Sequence, residues 1–452
     1  MKNTARSIAF ETLGRVYKDG AYTNIALQHA LTDRGLSPRD KGLCTEIVYG
    51  TVRRQITIDA LLQLYVKRKL KDLDQDVLTI LRMSVYQLAF LERVPAYAAI
   101  DEAVELTKRH ARAASGFVNG VLRSYVRESA STEEKIEAFL AKKRASEVLS
   151  LGVRHGFPNW MVQRLISAYG RERAEMILSA CNEPAPLTVR TNLLKTSRES
   201  LKAALADAVQ LEVRDGELSS QALVIPGAVN VEALEAYRAG QFTIQDEGAM
   251  LIAPLLTPLP GSTVLDMCAA PGGKTTHIAE LMRDEGTIDA YDVYLQKVKM
   301  IQEQATRLGL KSVTARLGDG RDFANKEAAY DAVLVDAPCS GLGVMRRRPD
   351  IRHRRKQSDI AQLTSLQRDL LQAALRAVRP GGIVVYATCT LLPEENEQVV
   401  EWVQKNTSDA FVVEDIHELV PEVFRQDVCQ GLTITPERAL TDGFYMTRLR
   451  KR

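Results

Sequence analysis

Nowhere in the 452 residues do two cysteines form a Cys-x-x-Cys pair, and the six present (Cys44, Cys181, Cys268, Cys339, Cys389, Cys429) are spread along the chain. The six histidines are equally scattered, so neither a zinc centre nor a disulfide framework can be drawn. No metal is expected, and a cysteine that matters here acts as a thiol. Long apolar runs are also missing. Nothing approaches the ~18 residues of a membrane span, and the run Leu251–Leu259 is short and broken by Pro254 and Pro258. Met1–Gly14 carries Lys2, Arg6 and Glu11 without an apolar signal core, so a cytoplasmic protein with no membrane partner is expected. No internal repeat or low-complexity tract occurs. What remains is ordinary for a globular chain, with 45% hydrophobic and 26% charged residues, too apolar for disorder. At roughly 100–200 residues per domain, two to four domains are expected.

The net charge of +3 is unevenly spread. Residues 1–130 hold 20 Lys and Arg against 14 Asp and Glu, which makes the front end mildly basic and compatible with nucleic acid. That front end reads as helix after helix. Apolar residues recur at three and four: Ile8, Leu13, Val16; Ile25, Leu27, Leu31; Ile58, Leu61, Leu62, Tyr65; Val77, Ile80, Leu81, Val85, Leu88. Pro38 and Pro95 stand at joints between these runs. Three segments are more specific: "SPRDKGLCTEIVYGTVRRQITIDALL", "ILRMSVYQLAFLERVPAYAAIDEAVELTKRH" and "SGFVNGVLR". In order and wording they resemble the NusB family, which implies an all-helical RNA-binding domain, with a plain helical docking module as the alternative.

A charged helical stretch, Ser131–Leu151, leads away from the bundle, and the pattern then changes. Leu187–Thr191 reads as a strand, Ser197–Ala206 as a helix, Leu211–Arg214 and Leu223–Ile225 as short strands, and Val231–Ala239 as a helix. This is a small α+β unit with no catalytic signature of its own. From about Gln241 strands and helices alternate. Thr263–Met267, Thr287–Asp292, Val313–Leu317, Ala332–Asp336 and Ile383–Thr388 read as five buried parallel strands, and Phe411–Glu414 and Gly443–Leu449 as late ones. The expected architecture is multidomain: an all-α domain over 1–145, a small α+β linker domain over 146–240, and an α/β Rossmann-like domain over 241–452.

The first chemical motif is "VLDMCAAPGGKTTHIAEL", Val264–Leu281. A strand ends at Asp266, a turn of small residues (Cys268, Ala269, Ala270, Pro271, Gly272, Gly273) follows, and a helix begins near Lys274. Glycines let a ligand approach the backbone, and the helix N-terminus offers free N–H groups to an anionic end. The turn is neither Gly-x-Gly-x-x-Gly nor a Walker loop, so a carboxylate-bearing ligand suits it better than a phosphate. Asp292 ends the second strand, where an acid accepts hydrogen bonds from ribose hydroxyls. Asp319 follows the third strand, placed to receive an adenine amino group. Three acids at consecutive strand ends (Asp266, Asp292, Asp319) point to an adenosine-containing cofactor, and S-adenosylmethionine fits better than a dinucleotide. Cys339 in "VLVDAPCSGLG" and Cys389 in "VVYATCTLLPEENE" lie just beyond the carboxyl edge of the sheet, where open α/β sheets bind ligands. Cys268 and Cys181 read as small core hydrophobes.

"CAAPGGKTT", "VDAPCSGLG" and "YATCTLLPEENE" resemble the signature set of RNA cytosine-5 methyltransferases. Amino-group methyltransferases carry an Asp/Asn-Pro-Pro-aromatic tetrad where this chain has Asp336-Ala337-Pro338-Cys339. With the front domain, the chain resembles the bacterial 16S rRNA (cytosine-5)-methyltransferase family of the Fmu/Sun (RsmB) type. It departs at Thr390, where the family pattern has Ser. The resemblance implies Cys389 as the nucleophile that adds at C6 and Cys339 as the residue that assists product release. It also implies Asp336 at the base edge or the cofactor, Lys274 nearby in a role left open, and 16S rRNA as partner of a monomeric enzyme. A tRNA or another rRNA cytosine is the alternative target, and a non-catalytic NusB-like assembly factor the alternative class. Finally, "RRRPDIRHRRK", Arg346–Lys356, has seven Lys/Arg among eleven residues. Following the Cys339 loop, it is expected to rim the cleft and to offer Arg346, Arg347, Arg348 and Arg352 to an RNA backbone.

Overall fold

A computed structural model describes residues 4–32, 35–227, 229–325 and 328–452. Packing divides the chain into two units, Met1–Asn182 with Arg348–Arg355, and Glu183–Arg347 with Lys356–Arg452. By packing, the helices between the expected joint at 145/146 and Asn182 therefore go with the front bundle. The cause is visible in the helices after the charged segment, which return to the bundle: Thr57 Oγ1 donates to the Val153 carbonyl at 2.6 Å. The small sheet, before the expected joint at 240/241, packs in the same unit as the large sheet after it.

The first unit is helical. Ala5–Lys18 opens with a capping box at Thr4, and Pro38–Arg53 carries Pro38 in its first turn with Ser37 capping the Asp40 N–H. Gln75–Phe90 is the central helix: every residue from Val77 to Gln87 is buried, so polar members such as Thr79 and Ser84 turn their hydroxyls onto their own helix carbonyls. Gly50 is required where this helix meets Pro38–Arg53. A Cβ there would lie 1.9 Å from Cζ of Tyr86. Ile25, expected in the core, is 47% exposed, because Thr23–Leu31 turns Ala26, Leu27 and Ala30 inward instead.

The second unit holds two sheets. β1 (Leu187–Thr191), β2 (Arg214–Asp215), β3 (Ala222–Ile225) and β4 (Phe242–Ile244) form an antiparallel sheet in the order β2-β3-β1-β4. Val189 lies opposite both Leu223 and Ile244, and one face of the sheet buries Val189, Leu223 and Phe242 against Leu201 and Leu205. The expected helix Val231–Ala239 is two short turns, Val231–Ala233 and Glu235–Arg238, separated by an extended Leu234.

The large sheet contains β5 (Thr263–Asp266), β6 (Thr287–Asp292), β7 (Val313–Leu317), β8 (Tyr330–Asp336), β9 (Val378–Thr388), β10 (Phe411–Val413), β11 (Leu432–Ile434) and β12 (Phe444–Lys451). The order is β10-β12-β9-β8-β5-β6-β7, with β11 on β12; β12 runs antiparallel to β9, and β5 to β9 run parallel. β7 is an edge strand with Thr314, Arg316 and Leu317 exposed, so only four of the five expected buried strands are buried. The chain winds outward from β5 to β7 and then returns to β8 beside β5. That reversal opens a crevice at the carboxyl ends of β5 and β8, where ligands of doubly wound sheets bind.

Candidate active site at the sheet reversal

The crevice begins with Asp266, the last residue of β5 and fully buried. Its Oδ2 accepts the Thr275 hydroxyl at 2.7 Å, while Oδ1 is buried without a partner. Burial pushes this carboxyl up to about 7. The turn after β5 passes Gly272, in the left-handed region at φ 102°, where a Cβ would press on the Ile301 backbone at 3.2 Å. It delivers the helix Gly273–Leu281. A Cβ at Gly273 meets nothing within 4 Å, so open space lies at the head of that helix.

Asp292, nearly buried at the end of β6, accepts the Tyr294 N–H at 3.1 Å and sits 3.5 Å from Lys297 Nζ. Asp319, after β7, is gripped by Arg321 through Nη2 at 2.6 Å and Nε at 3.1 Å, and this pairing holds its carboxyl below the usual range. Asp336, ending β8, receives Lys274 Nζ at 2.6 Å. Lys274 also lies over the Phe444 ring at 5.7 Å. The Cys268 thiol is surrounded by Asp266, Asp336 and Asp292, and burial together with these carboxylates pushes it well up. It packs against the core as expected of a structural thiol.

The loops after β8 and β9 bring Cys339 and Cys389 together, Sγ to Sγ at 3.3 Å. Donation of its S–H to Cys389, together with burial, pushes the Cys339 thiol well above its ordinary value, with the Cys389 charge adding to them. Lys274 feels the field of Cys389, so a cation stands near that sulfur. Beneath the pair lies a clamp that the sequence reading passed over. Glu395, fully buried, accepts the Ser340 N–H at 2.8 Å and Gln367 Nε2 at 3.0 Å on Oε1. On Oε2 it takes the hydroxyls of Ser340 at 2.5 Å and Thr390 at 3.0 Å. Ser340 and Thr390 are also 2.7 Å from each other. The residue following each cysteine is thus tied to one carboxylate. The hydroxyl that Thr390 shares with Ser is the part that bonds, so the departure from the family pattern leaves the clamp intact. "PEENE" was the available signal, since an acid inside an otherwise buried stretch needs partners.

The basic run is placed differently from expectation. Arg346 is 3% exposed, and its Nη2 lies 3.5 Å from the Pro436 carbonyl. Arg347 bridges Asp246 and Asp442, each at 2.8 Å, and donates to the Pro186 carbonyl at 3.0 Å. Arg352 is 1% exposed within the helical unit. It donates to the carbonyls of Arg53 and Cys181 and to Asn182 Oδ1, and stacks on Phe157 at 3.7 Å. These three are internal fasteners and not phosphate contacts; only Arg348 of the four is exposed. A charge count cannot tell a solvated guanidinium from one that caps buried carbonyls.

The parts a methyl-donor site needs are therefore present: a helix head with open space, an unsatisfied buried carboxylate oxygen, and an acid at the β6 end. Among the described residues, no group of three or more His, Cys, Asp or Glu could hold a metal ion, and no helix is long and apolar enough to cross a membrane.

Three family models match the chain: the NusB family over residues 3–127, an RsmF/B-like ferredoxin-like domain over 157–232, and the 16S rRNA methyltransferase RsmB/F over 253–450. A probable ribosomal RNA small subunit methyltransferase B of Bacillus subtilis is 38% identical over 100% of this chain and 99% of its own length. A protein of the same description from Synechocystis is 37% identical over 99% of each. Among solved structures, the protein PH0851 superposes with a TM-score of 0.82 at 26% identity, covering 98% of this chain and 97% of that one. A methyltransferase homolog from Pyrococcus horikoshii gives a TM-score of 0.58 at 29% identity, over 68% of this chain and 100% of that one. With matches of this extent joined to this fold and crevice, the chain belongs to the RsmB/F family of S-adenosylmethionine-dependent 16S rRNA cytosine-5 methyltransferases that carry a NusB-like domain at the front.

Proposed function

We propose that this enzyme methylates C5 of one cytosine in 16S rRNA, acting as a monomer in the cytoplasm, with Cys389 as nucleophile and Cys339 as the residue that releases the product. The observation that carries this reading is the pair of sulfurs 3.3 Å apart beside the Lys274–Asp336 ion pair. Cytosine C5 is a weak nucleophile until a group adds at C6, and a thiolate is the side chain that adds readily near neutral pH. Lys274 favours the thiolate of Cys389 by charge. Bound S-adenosylmethionine supplies an electrophilic methyl group. The helix head at Gly273, with Cys268, Ala269, Ala270, Pro271 and Gly272 leading into it, receives the cofactor's carboxylate. The orphaned oxygen of Asp266 suits its ammonium, and Asp292 suits the ribose; Asp319 can take the adenine amino group only while sharing its oxygens with Arg321.

The order of steps follows from the two thiols. Cys389 Sγ bonds to C6, and C5 takes the methyl group. As a thioether, Cys389 then no longer carries a negative charge and is a poorer acceptor for the Cys339 S–H. Of the influences that raise the Cys339 thiol, the hydrogen bond to Cys389 is then weakened and the Cys389 charge gone, while burial and the Glu395 charge remain. Cys339 gives its own proton to water in the cleft and, as thiolate, removes the C5 proton. The C6–S bond breaks, returning Cys389 as thiolate. A target base in a paired stem must be turned out of its helix first, and of the four arginines proposed for the RNA backbone Arg348 remains the one suited to a phosphate. Bisulfite mapping of 16S rRNA from a deletion strain tests the target. Loss of one methylated cytosine there, restored by the purified enzyme, is expected; loss confined to tRNA overturns it.

A further inference from the structure

The small sheet carries no catalytic motif, yet one of its strands holds a fully buried arginine. Arg190, on β1, is fully buried and points away from the Val189 face of its own sheet. Its guanidinium reaches the helix Gly273–Leu281 and uses every donor direction. Nε and Nη2 meet Glu280 at 3.1 and 2.8 Å, Nη1 donates to the Gly273 carbonyl at 2.9 Å and to Gln245, and Nη2 also reaches Thr276 Oγ1 at 3.2 Å. Gly273, Thr276 and Glu280 lie at spacings of three and four, on one face of the helix. The adjoining faces are held elsewhere, Thr275 by Asp266 and Lys274 by Asp336.

A buried ion pair is weak evidence for stability, since two apolar side chains of similar volume commonly hold as well. What an arginine fork adds is direction: its donors are fixed in one plane and grip a partner in one orientation. From these contacts we infer that Arg190 is a positioning residue for the methyl donor. Through Glu280, Thr276 and the Gly273 carbonyl it sets the rotation of the helix whose head and whose Lys274 face the crevice. The small sheet then serves as the brace of the cofactor site. This rests on the cofactor reading given above.

The test uses the full-length protein, with S-adenosylhomocysteine titrated by calorimetry and folding followed by thermal melting. Three variants separate position from stability: Arg190→Lys, Arg190→Met, and the double variant Arg190→Met with Glu280→Met. The double variant replaces the pair with apolar volume and is expected to melt close to the unaltered enzyme. Its affinity for S-adenosylhomocysteine is nevertheless expected to be about tenfold weaker, the loss typical of one or two charge-assisted contacts. Arg190→Lys keeps the charge but not the fork, and is expected to bind several-fold more weakly with an unchanged KM for RNA. Affinity in the double variant or in Arg190→Lys equal to that of the unaltered enzyme overturns the positioning role. Failure of the unaltered enzyme itself to bind S-adenosylhomocysteine overturns instead the cofactor reading beneath it.

Discussion

Glu395 offers the sharpest quantitative test of how the two cysteine loops are held. Its Oε1 faces two N–H donors, Ser340 at 2.8 Å and Gln367 at 3.0 Å, and its Oε2 faces two hydroxyls, Ser340 at 2.5 Å and Thr390 at 3.0 Å. Glu395→Ala leaves all four without that acceptor in a buried place. Each buried donor left unsatisfied costs about 1–3 kcal/mol. Even with partial relaxation the loss is therefore about 3–5 kcal/mol in all, which for a unit of this size is a fall of roughly 6–20 °C in melting temperature. Glu395→Gln behaves otherwise. Ser340 Oγ, Thr390 Oγ1 and Glu395 Oε2 make three close contacts, and two hydroxyl protons cannot serve all three. An amide NH2 in place of Oε2 supplies protons to that triangle, while Oε1 keeps both N–H bonds. The cost is therefore about 1 kcal/mol or less. Calorimetric melting of both variants reads the difference, and methyl transfer to 16S rRNA should fall with Glu395→Ala far more than with Glu395→Gln. Equal destabilisation by the two changes, or an alanine cost below about 1 kcal/mol, refutes the clamp.

The other expectations are more direct. Cys389→Ser should abolish turnover with no covalent RNA adduct, whereas Cys339→Ser should stall release and leave a slow-moving band on a denaturing gel; the reverse pattern exchanges the roles. Asp292→Ala should weaken S-adenosylmethionine binding about ten- to a hundredfold by calorimetry, through loss of charged-group hydrogen bonds, and unaltered affinity removes Asp292 from the site. Asp266 has a folded pKa of about 7 against an ordinary 3.8, so the unfolded chain ionises first. Stability without ligand should then decline as pH rises from about 4 to 7, and Asp266→Asn should flatten that part of the profile; an identical profile in the variant counts against it. Arg348→Ala should lower the salt slope of RNA affinity by about 0.7, while Arg352→Met should lower the melting temperature of the helical unit and leave the slope unchanged.

Where the chain speaks through periodicity and local wording, the structure follows it closely. β1, β6 and β7 begin and end where alternation and flanking turns put them, and the acids at strand ends come out at strand ends. These are properties of a strand and its own turn, carried by neighbouring residues. β4 and β11 are three residues each, too short for any period to register, and β7 reads as buried because strand chemistry does not reveal which strand ends a sheet.

What stayed illegible was the partner of each buried charge. Arg190 and Glu280 are 90 positions apart, Ser340 and Glu395 are 55, Arg352 and Asn182 are 170. Each charge alone reads as a solvated surface group, since an ionised side chain is expected in water unless something meets it inside. The same blindness explains why the run Arg346–Lys356 suggested phosphates. Arg346 and Arg352 meet backbone carbonyls, an acceptor that no side-chain pattern displays, and Arg347 meets two acids 101 and 95 positions away. A buried guanidinium announces itself only when the fold gathers its acceptors. In this enzyme one such gathering holds Arg190 against the helix Gly273–Leu281, and a buried carboxylate, Glu395, gathers donors in the same way behind the two loops that carry the sulfurs.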